Sequence, residues 1–126
     1  MADEITMSGS LSISATNFRE QFNPGTISID LASNKGDGGV QEISHSGSAA
    51  QGEALGVTDV AVGGVCFFRN LDETNYVEIG FQVSSTFYPF LKLLPGEFSM
   101  GRLGNAAPFA RANTANVNLQ YRILSP

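Results

Sequence analysis

The sequence predicts an all-β protein, a single-domain antiparallel β-sandwich of jelly-roll type with about eight short strands. Three observations predict it. Apolar and polar residues alternate in run after run, which is the period of a half-buried strand. No long stretch carries the helical period. Turn residues punctuate the runs at intervals of roughly 8–12 residues, as in sandwiches and jelly rolls. The composition agrees: 14 glycines, 42% hydrophobic and only 15% charged residues favour short strands and turns over helices. With 126 residues the chain reads as one domain, 1–126, with the polar, Gly- and Ser-containing residues 1–10 as an arm. A domain of this size buries roughly two-thirds of its unfolded surface, so it needs neither disulfide nor metal to hold a core.

The elements follow in order. In "GSLSISAT", Leu11 and Ile13 alternate with serines. "TNFREQF" places Phe18 and Phe22 at i and i+4, which allows one helical turn. In "TISIDLAS", Ile27, Ile29 and Leu31 share a face. Residues 34–64 are rich in Gly, Ser and Ala and are expected to hold the longest loops and weakest strands, with "NKGDGG" as a breaker and "VQEISHS" as a weak run. "VCFFRNL" is apolar on both faces where it starts. "NYVEIGFQV" aligns Val77, Ile79, Phe81 and Val83. Leu94-Pro95-Gly96-Glu97 fits a type II turn: proline presets φ at the second position and glycine supplies the positive φ at the third. "FYPFLKLL" and "EFSMGRL" on either side are therefore expected to pair as a hairpin. "NVNLQYRIL" aligns Val117, Leu119, Tyr121 and Ile123.

Charge narrows the function classes. The net charge is −5, with only seven Lys and Arg scattered along the chain. Phosphate backbones require clustered cations, so nucleic acid is not an expected partner; anionic membrane surfaces are disfavoured for the same reason. No apolar run approaches the ~20 residues of a spanning helix. The N-terminus has no basic and apolar leader, so synthesis in the cytoplasm is expected. Cys66 is the one cysteine. It has no disulfide partner in the chain, and its apolar neighbours Val65, Phe67 and Phe68 point to a buried thiol acting as a small hydrophobe.

The carboxylate-bearing stretch is "FFRNLDETNYVEIGF", residues 67–81. Asn70 and Asn75 are read as closing a loop over Leu71–Thr74, with Phe68 opposite Val77 and Cys66 opposite Ile79 in one hairpin. Arg69 would then reach Glu78 diagonally. Asp and Asn side chains bond nearby backbone amides, which explains the polar residues as turn chemistry. Calcium would need several converging oxygens, and "DETN" lacks the spacing of an EF-hand loop; Asp37 in "NKGDGG" is a weaker candidate still. His45, the one histidine, reads as a partly exposed strand residue. Its neighbours Ser44 and Ser46 point to the opposite face. No GxSxG, GxGxxG or P-loop pattern occurs. The expectation is therefore no enzyme, no catalytic residue, no metal and no cofactor.

Aromatic residues carry the remaining signal. Phe87, Tyr88 and Phe90 crowd around Pro89, which cannot donate to a central ladder and so marks an edge or irregular strand. Such rings fill the core or form an intersubunit contact. Phe67 and Tyr76, on the mixed face of the expected hairpin, join them as candidate protein–protein contacts. Without Trp, sugar stacking has Tyr76, Phe87 and Tyr88 to use.

From Val65 onward, "CFFRNLDETNYVEIGF", "FLKLLPGEFSMGRL" and "ANTANVNLQYRIL" resemble small virion proteins of tailed bacteriophages. The resemblance covers roughly the C-terminal half and supplies no active-site residue. It implies a small β-sandwich structural subunit acting in many copies, commonly a homotrimer. The implied role is that of a capsid decoration (cement) protein bound to the major capsid protein, or of a tail or fibre accessory. The virion is then its destination after synthesis in the host cytoplasm. The alternative expectation is a carbohydrate- or receptor-binding β-sandwich of a tail or fibre.

Overall fold

A computed structural model describes residues 4–33, 35–45, 52–60, 64–104 and 107–125. Among them are twelve β-strands and no helix. They divide into two compact units, one within Met1–Ser33 and one within Asn34–Ser125.

The first unit holds four strands, β1 (Ile5–Met7), β2 (Leu11–Ala15), β3 (Phe18–Phe22) and β4 (Ile27–Ile29). They form two separate two-stranded ladders, β1 with β4 and β2 with β3. The expected helical turn at "TNFREQF" is instead β3, paired antiparallel with β2 across a two-residue turn. A spacing of four residues puts Phe18 and Phe22 on one side of a strand as readily as on one side of a helix. Within residues 1–10, Ile5–Met7 is built into a ladder with β4. Residues 1–3 lie outside the described set.

The second unit holds eight strands: β5 (Gly36–Ile43), β6 (Glu53–Ala54), β7 (Val65–Asn70), β8 (Val77–Val83), β9 (Thr86–Leu93), β10 (Phe98–Arg102), β11 (Phe109–Ala112) and β12 (Val117–Leu124). They form two four-stranded sheets, β10-β7-β12-β5 and β6-β11-β8-β9. Successive strands alternate between the sheets, except β8 and β9, which pair directly. This is the strand order of a jelly roll. The inward residues of both sheets make one core. Phe68, Ile43, Leu119, Ile123, Val77 and Val117 are its largest fully buried apolar side chains. Alternation along β12 is complete from Val117 to Ile123, buried and exposed by turns, because this strand is central and its other face meets solvent.

The pairing corrects two expectations. The "NLDETN" loop does not close a hairpin, so Phe68 does not sit opposite Val77. β7 pairs with β10 and β12, β8 pairs with β9 and β11, and the loop carries the chain from one sheet to the other. Cys66, Phe68, Val77 and Ile79 do share the core, but they meet across it from facing sheets. The Pro95-Gly96 turn forms as expected, with the Glu97 amide donating to the Leu94 carbonyl at 2.9 Å and Gly96 at φ 81°. Yet it too joins strands of different sheets, β9 and β10. The hairpin that does occur, β8–β9, turns on Ser84 and Ser85. Both have positive φ, 50° and 64°, the type I′ geometry whose twist matches paired strands.

Two further points concern residues 34–64 and the edges. The expected breaker "NKGDGG" runs into an eight-residue strand, β5, which pairs along its whole length with β12. Pairing with a central strand overrides the low strand propensity of glycine. Residues 46–51 and 61–63 lie outside the described set. Pro89 lies on an edge strand as expected, because β9 is outermost in its sheet. It faces Gly80, where the ladder is interrupted after Ile79. A side chain at Gly80 would collide with the Tyr88 carbonyl oxygen, so the edge closes tightly only over glycine.

Candidate functional site

The polar loop after β7 is organised by Asn70, which is fully buried. Its backbone N–H donates to Glu97 O and its carbonyl accepts from Gly96 N, both at 3.0 Å. Its side-chain amide donates to Asn75 O at 2.9 Å and to Leu93 O at 3.0 Å, and its Oδ1 accepts from Asp72 N at 2.8 Å. One side chain thus ties together both sheet-crossing connections, β7–β8 and β9–β10. Asp72 then caps the loop: its Oδ2 accepts from the Asn75 and Thr74 amides at 2.6 and 3.0 Å. These two backbone bonds hold its carboxyl below the ordinary carboxylate range. The carboxylate is occupied by its own loop, in the manner of an Asx turn. Arg69 does not reach Glu78. Glu78 lies in the other sheet and takes a two-pronged contact from Arg111, at 2.7 and 3.1 Å, from the adjacent strand.

Asp37 has the same kind of structural engagement. Its oxygens accept from the Asp59 amide at 3.2 and 3.0 Å, the Val60 amide at 2.9 Å and the Thr58 hydroxyl at 3.3 Å. Burial acts to raise its pKa, but the combined donors of residues 58–60 outweigh it and leave the carboxyl below its usual range. Among the described residues no three His, Cys, Asp or Glu side chains converge. His45 is exposed, and its Nδ1 lies 2.8 Å from Asn116 Oδ1; Ser46 lies outside the described residues. Cys66 is buried, and burial pushes its thiol up against an opposing hydrogen bond from the Gly101 backbone.

Cys66 also borders a mostly apolar cavity of about 210 Å³, shared by Phe68, Ile79, Phe81, Leu91 and Met100. It opens between the edge strands β9 and β10. A dry cavity of about 150 Å³ accepts benzene, so this one has room for a single ring or a short alkyl group.

The five candidate contact residues do not form one cluster. Phe90 and Tyr88 are exposed on edge strand β9, at 77% and 54%. Phe87 is buried at 4%, packed against Gly52 and beneath the Arg111 guanidinium, so its ring is taken up by the chain itself. Tyr76 is half-buried with the Lys92 ammonium 4.1 Å above its ring. Phe67 belongs to the other sheet and stacks on Phe98 with centroids 6.3 Å apart.

That second sheet carries a surface absent from the sequence reading. On the outer face of β10-β7-β12-β5 the register sets Phe98, Arg69, Gln120 and Val40 in one row. Met100, Phe67 and Arg122 form the next row, and Arg102 lies beyond Met100 on β10. Phe98, Val40 and Met100 are exposed. Three of the chain's seven cations therefore gather among exposed apolar side chains. The one ion pair found among the described residues is Arg111–Glu78, so none of these three has a carboxylate partner there. The cations look scattered in sequence because the strands that carry them, β7, β10 and β12, become neighbours only in the folded sheet.

Compared with known protein families, with curated proteins and with solved structures, the chain matches none.

Proposed function

We propose that this protein is a non-enzymatic structural subunit of a phage particle, a capsid decoration protein that stabilises the shell through contacts with its own copies and with the major capsid protein. The observation that carries this reading is the outer face of the β10-β7-β12-β5 sheet. Exposed Phe98 and Met100 lie beside Phe67 and three arginines that have no carboxylate partner among the described residues. Aromatic residues, Met and Arg are the types enriched where proteins meet, and contiguous exposed apolar surface marks interaction sites. The rest of the polar chemistry supports it: Asn70, Asp72 and Asp37 are each consumed in holding loops rigid. The resemblance of residues 66–81, 90–103 and 112–124 to phage virion proteins supplies the setting, with synthesis in the host cytoplasm and residence in the virion. The test is purification of assembled particles followed by cryo-EM. The expected outcome is a stoichiometric, symmetric density for this chain on the shell; absence from intact particles overturns the reading.

A second reading is a carbohydrate- or receptor-binding sandwich of a tail or fibre. Exposed Tyr88 and Phe90 on an edge strand favour it, and jelly rolls also serve as lectin domains. Glycan-array binding that is lost in Tyr88→Ala would support this second reading.

A further inference from the structure

The β2–β3 ribbon has one polar and one largely apolar face. Its register sets Leu11 opposite Phe22, Ile13 opposite Glu20 and Ala15 opposite Phe18. Those six side chains share one side. Ser12, Ser14, Gln21 and Arg19 share the other. Leu11, Phe18 and Phe22 are each at least half exposed. A two-stranded ribbon alone is marginal in water and needs its apolar face covered. Glu20 stands in the middle of that face, where covering it with apolar groups would strand a charge. Whatever covers the ribbon must therefore be apolar around a cation.

The outer face of β10-β7-β12-β5 has that chemistry. We propose that the β2–β3 ribbon of one copy docks on this face of a second copy. Glu20 meets the Arg69 and Arg122 guanidinium groups, and Leu11, Phe18 and Phe22 cover Phe98, Phe67 and Met100. An Arg–carboxylate pair is directional, and the guanidinium, more weakly hydrated than an ammonium, loses less when water is excluded. The dimensions agree. From Leu11 to Ala15 the ribbon extends about 13 Å, and four strands span about 14 Å. The donating and receiving surfaces differ, so two copies either exchange ribbons about a two-fold axis or repeat the contact head-to-tail, which closes into a ring where the rotation allows. The proposal deepens the subunit reading and rests on it for the presence of many copies.

The experiment measures self-association of the purified protein by sedimentation velocity across a concentration series, with circular dichroism to confirm folding. Wild type is expected to associate. Glu20→Arg and Arg69→Glu are each expected to weaken association at least about tenfold, while Gln21→Arg, on the polar face, leaves it unchanged. An equimolar mixture of the two charge-reversed variants is expected to regain association, because the reversed ribbon of one then faces the reversed sheet of the other. A wild type that stays monomeric at its highest soluble concentration overturns the proposal. So does a mixture that fails to associate. Hydrogen exchange of residues 11–22 adds a further arm: protection lost in each single variant and regained in the Glu20→Arg/Arg69→Glu double variant, with every species monomeric, would mean docking within one chain and would also overturn it. If association follows the expected pattern but the protein is absent from particles, the decoration reading fails while the ribbon contact stands.

Discussion

The Asn70 side-chain amide donates to the Leu93 carbonyl at 3.0 Å, and the two residues belong to opposite sheets of the sandwich. This bond, with those to Asn75 and Asp72, fastens the end of the core where two connections cross.

Asn70→Ala should therefore destabilise strongly for a polar substitution. It strips partners from the Leu93 and Asn75 carbonyls and the Asp72 amide around a fully buried site. Unsatisfied groups of this kind cost about 1–3 kcal/mol each, so a loss of about 2–4 kcal/mol is expected after partial relaxation. Urea unfolding measures it. A loss within 0.5 kcal/mol, a threshold of roughly surface-mutation size, would mean that the loops hold themselves without Asn70.

Phe67 and Phe68 are neighbours in β7 with opposite fates. Phe68 is in the core and Phe67 on the outer face. Phe68→Ala should cost about 3–5 kcal/mol. Phe67→Ala should cost about 1 kcal/mol or less, as partly exposed positions do. Paired denaturation curves test the contrast, and equal losses would contradict the placement of the two faces.

The carboxyls of Asp37 and Asp72 are held below their ordinary 3.8. Each binds a proton less readily in the folded chain than in the unfolded one. Their stabilisation is therefore complete above about pH 4 and is lost as pH falls through the lower folded values. Asp37→Asn should lower the melting temperature at pH 7, because an amide nitrogen then faces backbone N–H donors. It should also flatten the fall of melting temperature below about pH 4. Thermal melts of both proteins from pH 7 down to about pH 2 check the sign; a steeper fall in the variant would contradict it.

The Ser84-Ser85 turn offers a stabilising change. Both residues hold positive φ, which Asn and Gly adopt at lower cost. Replacing the pair with Asn-Gly should raise stability by about 0.5–1 kcal/mol, read as a higher melting temperature. A decrease would show that the serine side chains make contacts worth more than the backbone gain.

These particulars show what was legible in the sequence. Alternation reveals which side of a strand is buried, so the inward positions of β7 and β12 could be read directly, and those of β8 as far as Ile79. Past the ladder irregularity after Ile79, Phe81 and Val83, expected on the same buried face, are exposed. It does not reveal which strand lies alongside. Pro95-Gly96 carries the strongest turn signal in the chain, yet it joins strands of different sheets; Ser84-Ser85 carries little signal and makes the hairpin. A tight turn reverses the chain in either case, and the choice between pairing and crossing is made by the burial of both faces of the core. The arginine-bearing surface was hidden for the same reason. Arg69, Arg102 and Arg122 are each readable as outward, but their adjacency depends on strand order.

That order also governs when the chain can fold. β12 lies between β5 and β7, so residues 36–43 have no ladder partner until residues 117–124 have been synthesised. Apart from β8–β9, every ladder of the jelly roll waits for distant chain to arrive. Loop closure on this scale places such topologies among the slow folders, in milliseconds to seconds. During elongation Ile43 of β5 and the inward Cys66 and Phe68 of β7 stay uncovered, the transient apolar exposure from which premature association starts.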